Sequence, residues 1–137
     1  MTLKRPPLLV VACALIDKDN RVLLAQRPEG KALAGLWEFP GGKIEIGETP
    51  EEALIRELHE ELAIHVYLEN LIPFTFASHN YKDFHLLMPL YICRTFEGTL
   101  TPCENQCIQW VRPQDLDIYP MPEADIPLIP KLKDILL

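Results

Sequence analysis

Three glutamates are spaced so that one helix would present them together. Glu57, Glu60 and Glu61 stand at positions i, i+3 and i+4, and side chains at these spacings share one face of an α-helix. Carboxylate oxygens are the ligands that Mg²⁺ takes from proteins, with water and substrate phosphates completing the shell. On an arbitrary helix, however, the same spacing more commonly marks a solvated acidic face.

Two neighbouring features favour the metal-binding interpretation. Pro40, Gly41 and Gly42 prevent helix formation and permit unusual backbone angles, which implies a close approach of the main chain to another group. Arg56 lies four residues before Glu60 and supplies a cation that orients a carboxylate. Carboxylates on a helix beside a bent glycine backbone are the arrangement that phosphate chemistry with divalent cations requires.

The overall composition fits a globular domain that binds a small polyanion. The chain has 137 residues, of which 48% are apolar and 24% charged, so we expect one folded domain over residues 1–137 and neither disorder nor a fibre. Its 13 Lys and Arg against 20 Asp and Glu give a net charge of -7. This balance argues against a nucleic-acid polymer as partner, because such binding needs clustered cations.

No targeting or membrane segment is predicted. The stretch from Met1 to Val11 has two cations, a short apolar run and no small-residue cleavage site, so it predicts a strand rather than a signal peptide. No run approaches the roughly 20 apolar residues of a membrane span. Cys13 and Cys93 fall in apolar runs typical of core thiols, and Cys103 with Cys107 lacks a second ligand pair for zinc. We therefore expect a cytoplasmic protein without a membrane partner.

A helix from Pro50 to Leu62 is predicted to carry the glutamates. Thr49 is an N-cap candidate, and Glu52 three residues later completes a capping box. The apolar positions recur every fourth residue, at Leu54, Leu58 and Leu62. The three glutamates lie about a quarter-turn from this stripe, so we expect them at the rim of the core.

Strands are predicted on both sides of this helix. Leu8 to Ile16 and Arg21 to Gln26 are expected to form a hairpin across a turn at 17–20, and Pro89 indicates an edge strand or a bulge. Leu128 to Leu137 is predicted as a C-terminal helix. The order of strands, helix, strands and helix predicts a mixed sheet with helices packed on it. The other predicted extended segments are Leu36 to Phe39, His65 to Leu71, Phe74 to Ala77, Phe84 to Thr95 and Cys107 to Val111.

The stretch from Gly42 to Ile64 resembles the Nudix box, G-x5-E-x7-R-E-U-x-E-E-x-G-U, where U is an aliphatic residue. Every fixed position matches except Ala63, where the family has a glycine that ends the helix. Residues 36–43, 79–85 and 109–111 resemble the MutT branch, the pyrophosphohydrolases that remove 8-oxo-dGTP from the nucleotide pool. The resemblance implies the Nudix fold, a three-layer α/β/α sandwich around a central mixed sheet.

The resemblance also implies roles for residues around the box. Metal-binding groups would be the carbonyl of Gly41 and the carboxylates of Glu57, Glu60, Glu61 and Glu104, with Mg²⁺ as the cation and Mn²⁺ as a substitute. Either Glu57 or Glu104 would take a proton from the attacking water, and the sequence leaves this choice open. Arg56 would orient a catalytic carboxylate.

Two cations would contact the phosphates of the substrate. The resemblance places Lys43 just after the diglycine and Arg27 at the end of the second strand, where each would touch phosphate oxygens. Taken alone, each would more commonly be a solvated surface cation. Glu48 would steady the junction between loop and helix.

Recognition of the base would involve Asp125, Tyr81 and Phe84. Asp125 aligns with the asparagine by which the MutT type member reads the oxidised purine, although it could equally be a helix N-cap. Tyr81 and Phe84 could stack on the base or belong to the core. We expect a monomer that hydrolyses 8-oxo-dGTP to the monophosphate and pyrophosphate, preventing replication errors. The alternative substrates are another nucleoside triphosphate, a dinucleoside polyphosphate or ADP-ribose.

Overall fold

The computed structural model describes residues 6–137, which form seven strands, two α-helices and two short 3₁₀ helices. The N-terminal strand prediction is confirmed from Pro7 onward, and positions 1–5 lie outside the described residues. No helix within 6–137 is long and apolar enough to cross a bilayer. The elements are β1 (Pro7–Leu15), β2 (Val22–Gln26), β3 (Trp37–Glu38), β4 (Gly41–Lys43), α1 (Pro50–Leu62), β5 (Ile72–Asn80), β6 (His85–Cys93), β7 (Cys107–Val111) and α2 (Leu128–Leu136).

The strands pair in two sheets. The first is four-stranded, in the order β4-β1-β6-β5, with β1 parallel to β6 and the other two pairs antiparallel. The second is three-stranded and antiparallel, in the order β3-β2-β7. The predicted mixed sheet is therefore confirmed in the four-stranded sheet, and the remaining strands form a separate sheet.

Helices cover the two faces of these sheets, which confirms the three-layer arrangement. Alternate residues of β1 enter different cores: Val11, Cys13 and Leu15 pack with α1, whereas Ala12 and Ala14 pack with α2. Because successive strand side chains point to opposite faces, burial on both sides explains why β1 is a continuous apolar run.

The helix that carries the glutamates begins and ends as predicted. Thr49 and Glu52 form both hydrogen bonds of the capping box. Leu54, Leu58 and Leu62 are completely buried. The helix ends at Ala63 in the left-handed conformation, with φ of 58°, so the chain adopts the cap geometry that the family glycine would favour even though alanine occupies this position.

Two strand predictions were wrong, and a third was right only in part. The expected hairpin reduces to a single bridge between Ile16 and Val22, because β1 and β2 lie in different sheets. The segment from His65 to Leu71 forms one bridge at His65 and a 3₁₀ helix at Leu68–Asn70 rather than a strand. Pro89 does not mark an edge, since β6 lies inside the four-stranded sheet, but the facing strand β5 is irregular between Pro73 and Thr75.

Candidate active site

An open acidic cavity of about 480 Å³ lies between α1, β4 and the loop before β7. Glu57 and Glu61 reach it from α1, one helical turn apart, and Glu104 reaches it from the loop. Gly41, Gly42 and Lys43 of β4 form the adjacent wall. The structure therefore brings three of the predicted carboxylates to one cavity beside the diglycine.

Arg56 ties the helix to the loop that precedes it. Its Nε and Nη2 donate to the two carboxylate oxygens of Glu48 at 2.8 and 2.9 Å, which is the bidentate geometry of strong guanidinium–carboxylate pairs. This pairing lowers the pKa of Glu48 to about 2. Nη1 donates to Glu57 at 2.8 Å, and Nη2 donates to the carbonyl of Lys43 at 3.1 Å. Arg56 therefore orients Glu57, and Glu48 steadies the junction.

The diglycine is needed because its backbone lies against other groups. A Cβ on Gly42 would stand 2.3 to 2.6 Å from the carboxyl atoms of Glu57. A Cβ on Gly41 would stand 2.0 Å from the carbonyl oxygen of Val11, the β1 residue next to its strand partner Ala12. A side chain at Gly41 would collide with the backbone of β1, and one at Gly42 would displace the carboxyl of Glu57, which confirms the close approach expected from the sequence.

The electrostatics of the cavity suit a cation. Burial, followed by the negative charges of Glu57 and Glu104, raises the pKa of Glu61 to about 9. Glu57 and Glu61 also hydrogen-bond each other. A divalent cation bound by these oxygens would relieve the repulsion between the carboxylates. The donor set, which consists of oxygens, fits Mg²⁺.

Glu60 lies apart from the other predicted metal ligands. Its side chain is 54% exposed, pairs with Arg56 at 3.4 Å, and does not line the acidic cavity. Within residues 6–137, no three His, Cys, Asp or Glu side chains already meet at metal-binding spacing. Binding a cation would therefore require side-chain rotations in Glu57, Glu61 or Glu104, and a larger one in Glu60.

A second cavity of about 440 Å³ is lined mainly by apolar side chains. It contains the predicted base-binding residues Tyr81, Phe84 and Asp125. Their companions in the lining include Val10, Phe39, Leu86 and Met88. An apolar cavity that contains a buried carboxyl, here that of Asp125, is typical of a site that accepts a flat ring and reads its polar edge.

Asp125 is not a helix cap. The N-cap of α2 is Pro127, without a side-chain hydrogen bond, so that alternative was wrong. The Asp125 side chain is almost completely buried. Burial and the negative charge of Glu38 raise its pKa to about 7, although a backbone hydrogen bond from Phe39 and the charge of Arg27 oppose the shift. Asp125 is therefore about half protonated near pH 7 and mostly protonated below it.

The two cavities meet at a shared border. Arg27, Glu38 and the three residues of β4 line both of them. The Nε of Arg27 lies 3.2 Å from Oε1 of Glu38, and burial raises the pKa of Glu38. The predicted phosphate-binding residues Arg27 and Lys43 therefore lie where the acidic and apolar cavities join.

Tyr81 and Phe84 lie together at the wall of the apolar cavity. Their ring centroids are 5.0 Å apart, and the centroid of the His79 ring lies 4.5 Å from that of Tyr81. The hydroxyl of Tyr81 accepts a hydrogen bond from the backbone N–H of Ala124 at 3.1 Å. Both rings also pack against the core that contains α2, so the core and base-stacking interpretations both remain compatible with their positions.

Sequence reasoning missed Glu38, Phe39 and Gln106. Glu38 and Gln106 line the acidic cavity, whereas Phe39 holds Asp125 through its backbone. Glu38 carried a detectable signal, because an acidic residue between Trp37 and Phe39 in a short strand is unusual for a core segment. The role of Gln106 depends on contacts between distant elements, and its sequence neighbours do not indicate it.

Comparisons with known proteins agree with this geometry. The family described as NUDIX domain matches residues 11–131. A CTP pyrophosphohydrolase of Escherichia coli is 40% identical over 124 residues, covering 89% of this chain and 89% of that protein. An 8-oxo-dGTP diphosphatase of the same organism is 34% identical over 126 residues, covering 91% and 96%.

A solved structure has the same overall fold. It comes from a study of MutT from Aliivibrio salmonicida and Vibrio cholerae, and it is 31% identical in sequence. The two chains superpose with a TM-score of 0.81 over 95% of this chain and 99% of that one. Because the match spans nearly the whole of both chains, they share the overall fold.

Proposed function

The chain belongs to the Nudix family as a MutT-type hydrolase, and we propose that it hydrolyses a nucleoside triphosphate, most specifically 8-oxo-dGTP, to the monophosphate and pyrophosphate. One observation carries the proposal. An acidic cavity for a metal-bound phosphate chain joins an apolar cavity that contains the buried carboxyl of Asp125, and Arg27, Glu38 and β4 form their border. A nucleotide has the same division, with a charged chain at one end and a flat base at the other.

The acidic cavity is proposed to hold the reacting phosphates. Glu57, Glu61, Glu104 and the carbonyl of Gly41 would hold Mg²⁺, with Mn²⁺ as a substitute, and Glu60 would join them after rotation. The bound metal would neutralise phosphate charge, acidify water and align the attacking and leaving oxygens. Lys43 and Arg27 would contact the phosphate oxygens from the border between the cavities.

A carboxylate would accept the proton of the attacking water. Arg56 already engages Glu57 at 2.8 Å, whereas Glu104 is exposed at the cavity on its loop. We therefore assign Glu104 as the base that accepts the proton of the attacking water. The water oxygen forms a bond to phosphorus as the bond to the leaving phosphate oxygen breaks, which yields the monophosphate and pyrophosphate.

The buried carboxyl of Asp125 is proposed to read the base. Oxidation at C8 turns N7 of guanine from an acceptor into an N–H donor beside the acceptor O6. A protonated carboxyl matches this edge, because its carbonyl accepts from N7–H and its hydroxyl donates to O6. Unmodified guanine presents two acceptors there, so one bond is lost. A bidentate pair of this kind contributes about 1–3 kcal/mol of discrimination, which corresponds to about 5- to 150-fold.

CTP is a second candidate substrate, and the same carboxyl favours it. Cytosine presents the acceptor N3 beside the amino donor N4, which a protonated Asp125 also complements. A relative at 40% identity is named a CTP pyrophosphohydrolase. The apolar cavity of about 440 Å³ would contain either base.

A substrate panel tests the proposal. We expect kcat/KM for 8-oxo-dGTP to exceed that for dGTP by about 5- to 150-fold, with pyrophosphate as the product. Asp125→Asn keeps one donor and one acceptor and should keep the preference, whereas Asp125→Ala should lose it. Equal rates on dGTP and 8-oxo-dGTP would refute the base assignment, and a higher kcat/KM on CTP would select the second candidate.

A further inference from the structure

Gln106 is a buried amide that joins the two elements that carry the carboxylates. Its side-chain Oε1 accepts a hydrogen bond from the backbone N–H of Glu104 at 2.8 Å. Its Nε2 donates to the backbone carbonyl of Glu61 at 3.1 Å. Only 9% of the residue is exposed. The side chain thereby links the loop before β7 to the last turn of α1.

The surrounding backbone explains why this link is needed. The final carbonyls of a helix have no partners within the helix, and here the loop provides them: Cys103 N–H donates to the Glu61 carbonyl and Thr101 N–H to the Leu62 carbonyl, each at 2.9 Å. Beyond Cys103 the chain turns through Asn105, whose φ is 59°. Gln106 then folds back and fixes Glu104 at the tip of that turn.

Both the oxygen and the nitrogen of the Gln106 amide form hydrogen bonds. No other residue type of similar size would form both. Leucine and methionine keep much of the volume but supply neither hydrogen bond. A glutamate would keep an acceptor for Glu104 N–H but would lack the donor for the Glu61 carbonyl and would add charge to an acidic cavity.

We propose that Gln106 is a positioning residue that fixes Glu104 relative to Glu61, so that carboxylates from two separate elements act on the same divalent cation. This inference rests on the proposed function, which assigns both carboxylates to the metal. Residues that orient metal ligands typically change metal affinity or activity by about 10- to 100-fold when they are replaced.

The test compares Gln106→Leu with Gln109→Leu, the same substitution three positions later. Gln109 is exposed, and its Nε2 donates to the Trp110 carbonyl. Mn²⁺ binding is measured by electron paramagnetic resonance without nucleotide, and exchange of the Glu104 amide hydrogen is measured without metal. We expect Gln106→Leu to weaken Mn²⁺ binding about 10- to 100-fold and to speed exchange at Glu104. Gln109→Leu should change neither.

The outcomes separate this inference from the proposed function. If Gln106→Leu binds Mn²⁺ with an affinity within about threefold of wild type, the loss is well below the expected loss of about 10- to 100-fold. This result would overturn the positioning role. Gln106→Met, measured in the same way, decides the question if the leucine variant does not fold. A wild-type protein that binds Mn²⁺ but hydrolyses no triphosphate would refute the proposed function, whereas the comparison of Mn²⁺ affinities would still decide the role of Gln106.

Discussion

Replacing Asp125 by asparagine should change how the stability of the protein depends on pH. The folded protein holds the pKa of this carboxyl at about 7, against an ordinary value of 3.8. The folded state therefore binds more protons than the unfolded state between about pH 4 and pH 7. Since the folded pKa is raised, the contribution of Asp125 to the free energy of unfolding falls as pH rises through this window. Above the window, that contribution no longer changes with pH.

The size of the effect follows from the two pKa values. A difference of about three pH units corresponds to on the order of 4 kcal/mol, which is an upper limit because water entry would relieve part of the burial. Asparagine has nearly the same shape and no charge to bury. Asp125→Asn should therefore be more stable than wild type above pH 7, and its advantage should widen by about 2–3 kcal/mol between pH 5 and pH 8.

Urea denaturation at pH 5, 6, 7 and 8 measures this gap. Other titrating groups are common to both proteins and largely cancel in the difference. Asp134→Asn is the matched control, because Asp134 is exposed on α2 and its replacement should give a small offset that does not vary with pH. A gap for Asp125→Asn that stays constant from pH 5 to pH 8 would show that the carboxyl ionises normally and would remove the basis for a protonated base reader.

Four further substitutions test the site and its supporting helix. Glu57→Gln and Glu61→Gln should each lower kcat by more than about 100-fold at saturating Mg²⁺ without lowering Tm, and near-wild-type turnover in either would contradict its role. Gly42→Ala should lower kcat by about tenfold or more, because its Cβ would fall within 2.6 Å of the Glu57 carboxyl; a crystal structure with Glu57 unmoved would argue against this reason. Ala63→Gly should raise the free energy of unfolding by about 0.5–1 kcal/mol, because alanine occupies a left-handed cap with φ of 58°. An unchanged denaturation midpoint would show that the cap is not strained.

Local signals predicted the helix well. The capping box at Thr49 and Glu52 and the leucine stripe are properties of neighbouring residues, and the helix begins and ends where they indicate. The apolar run of β1 likewise predicted its burial. Because the box fixes residue spacing along one helix, the sequence also predicted that Glu57 and Glu61 would reach the same place.

Pairing between strands was less predictable. The segments Leu8 to Ile16 and Arg21 to Gln26 were predicted to form a hairpin because only a short turn separates them. In the fold, β1 instead pairs with β4 and β6, and β2 pairs with β3 and β7. The competing partners lie up to about 90 residues away in sequence, as the pairing of Val22 with Val111 illustrates. Short-range patterns do not contain that information.

By itself, then, the sequence determined the carboxylate-bearing helix, its caps and the glycine backbone beside it, because each depends on residues a few positions apart. Tertiary structure decided which carboxyls share a cavity. In the fold, Glu38 lines both cavities, Asp125 lies in the apolar cavity, and Glu60 pairs with Arg56. Tertiary structure also raised the pKa of Asp125, because its carboxyl is buried only after β1 and β6 have packed beside it. Proximity between distant segments and exclusion of water arise in the folded chain, and they convert a recognisable motif into a site with a particular charge and shape.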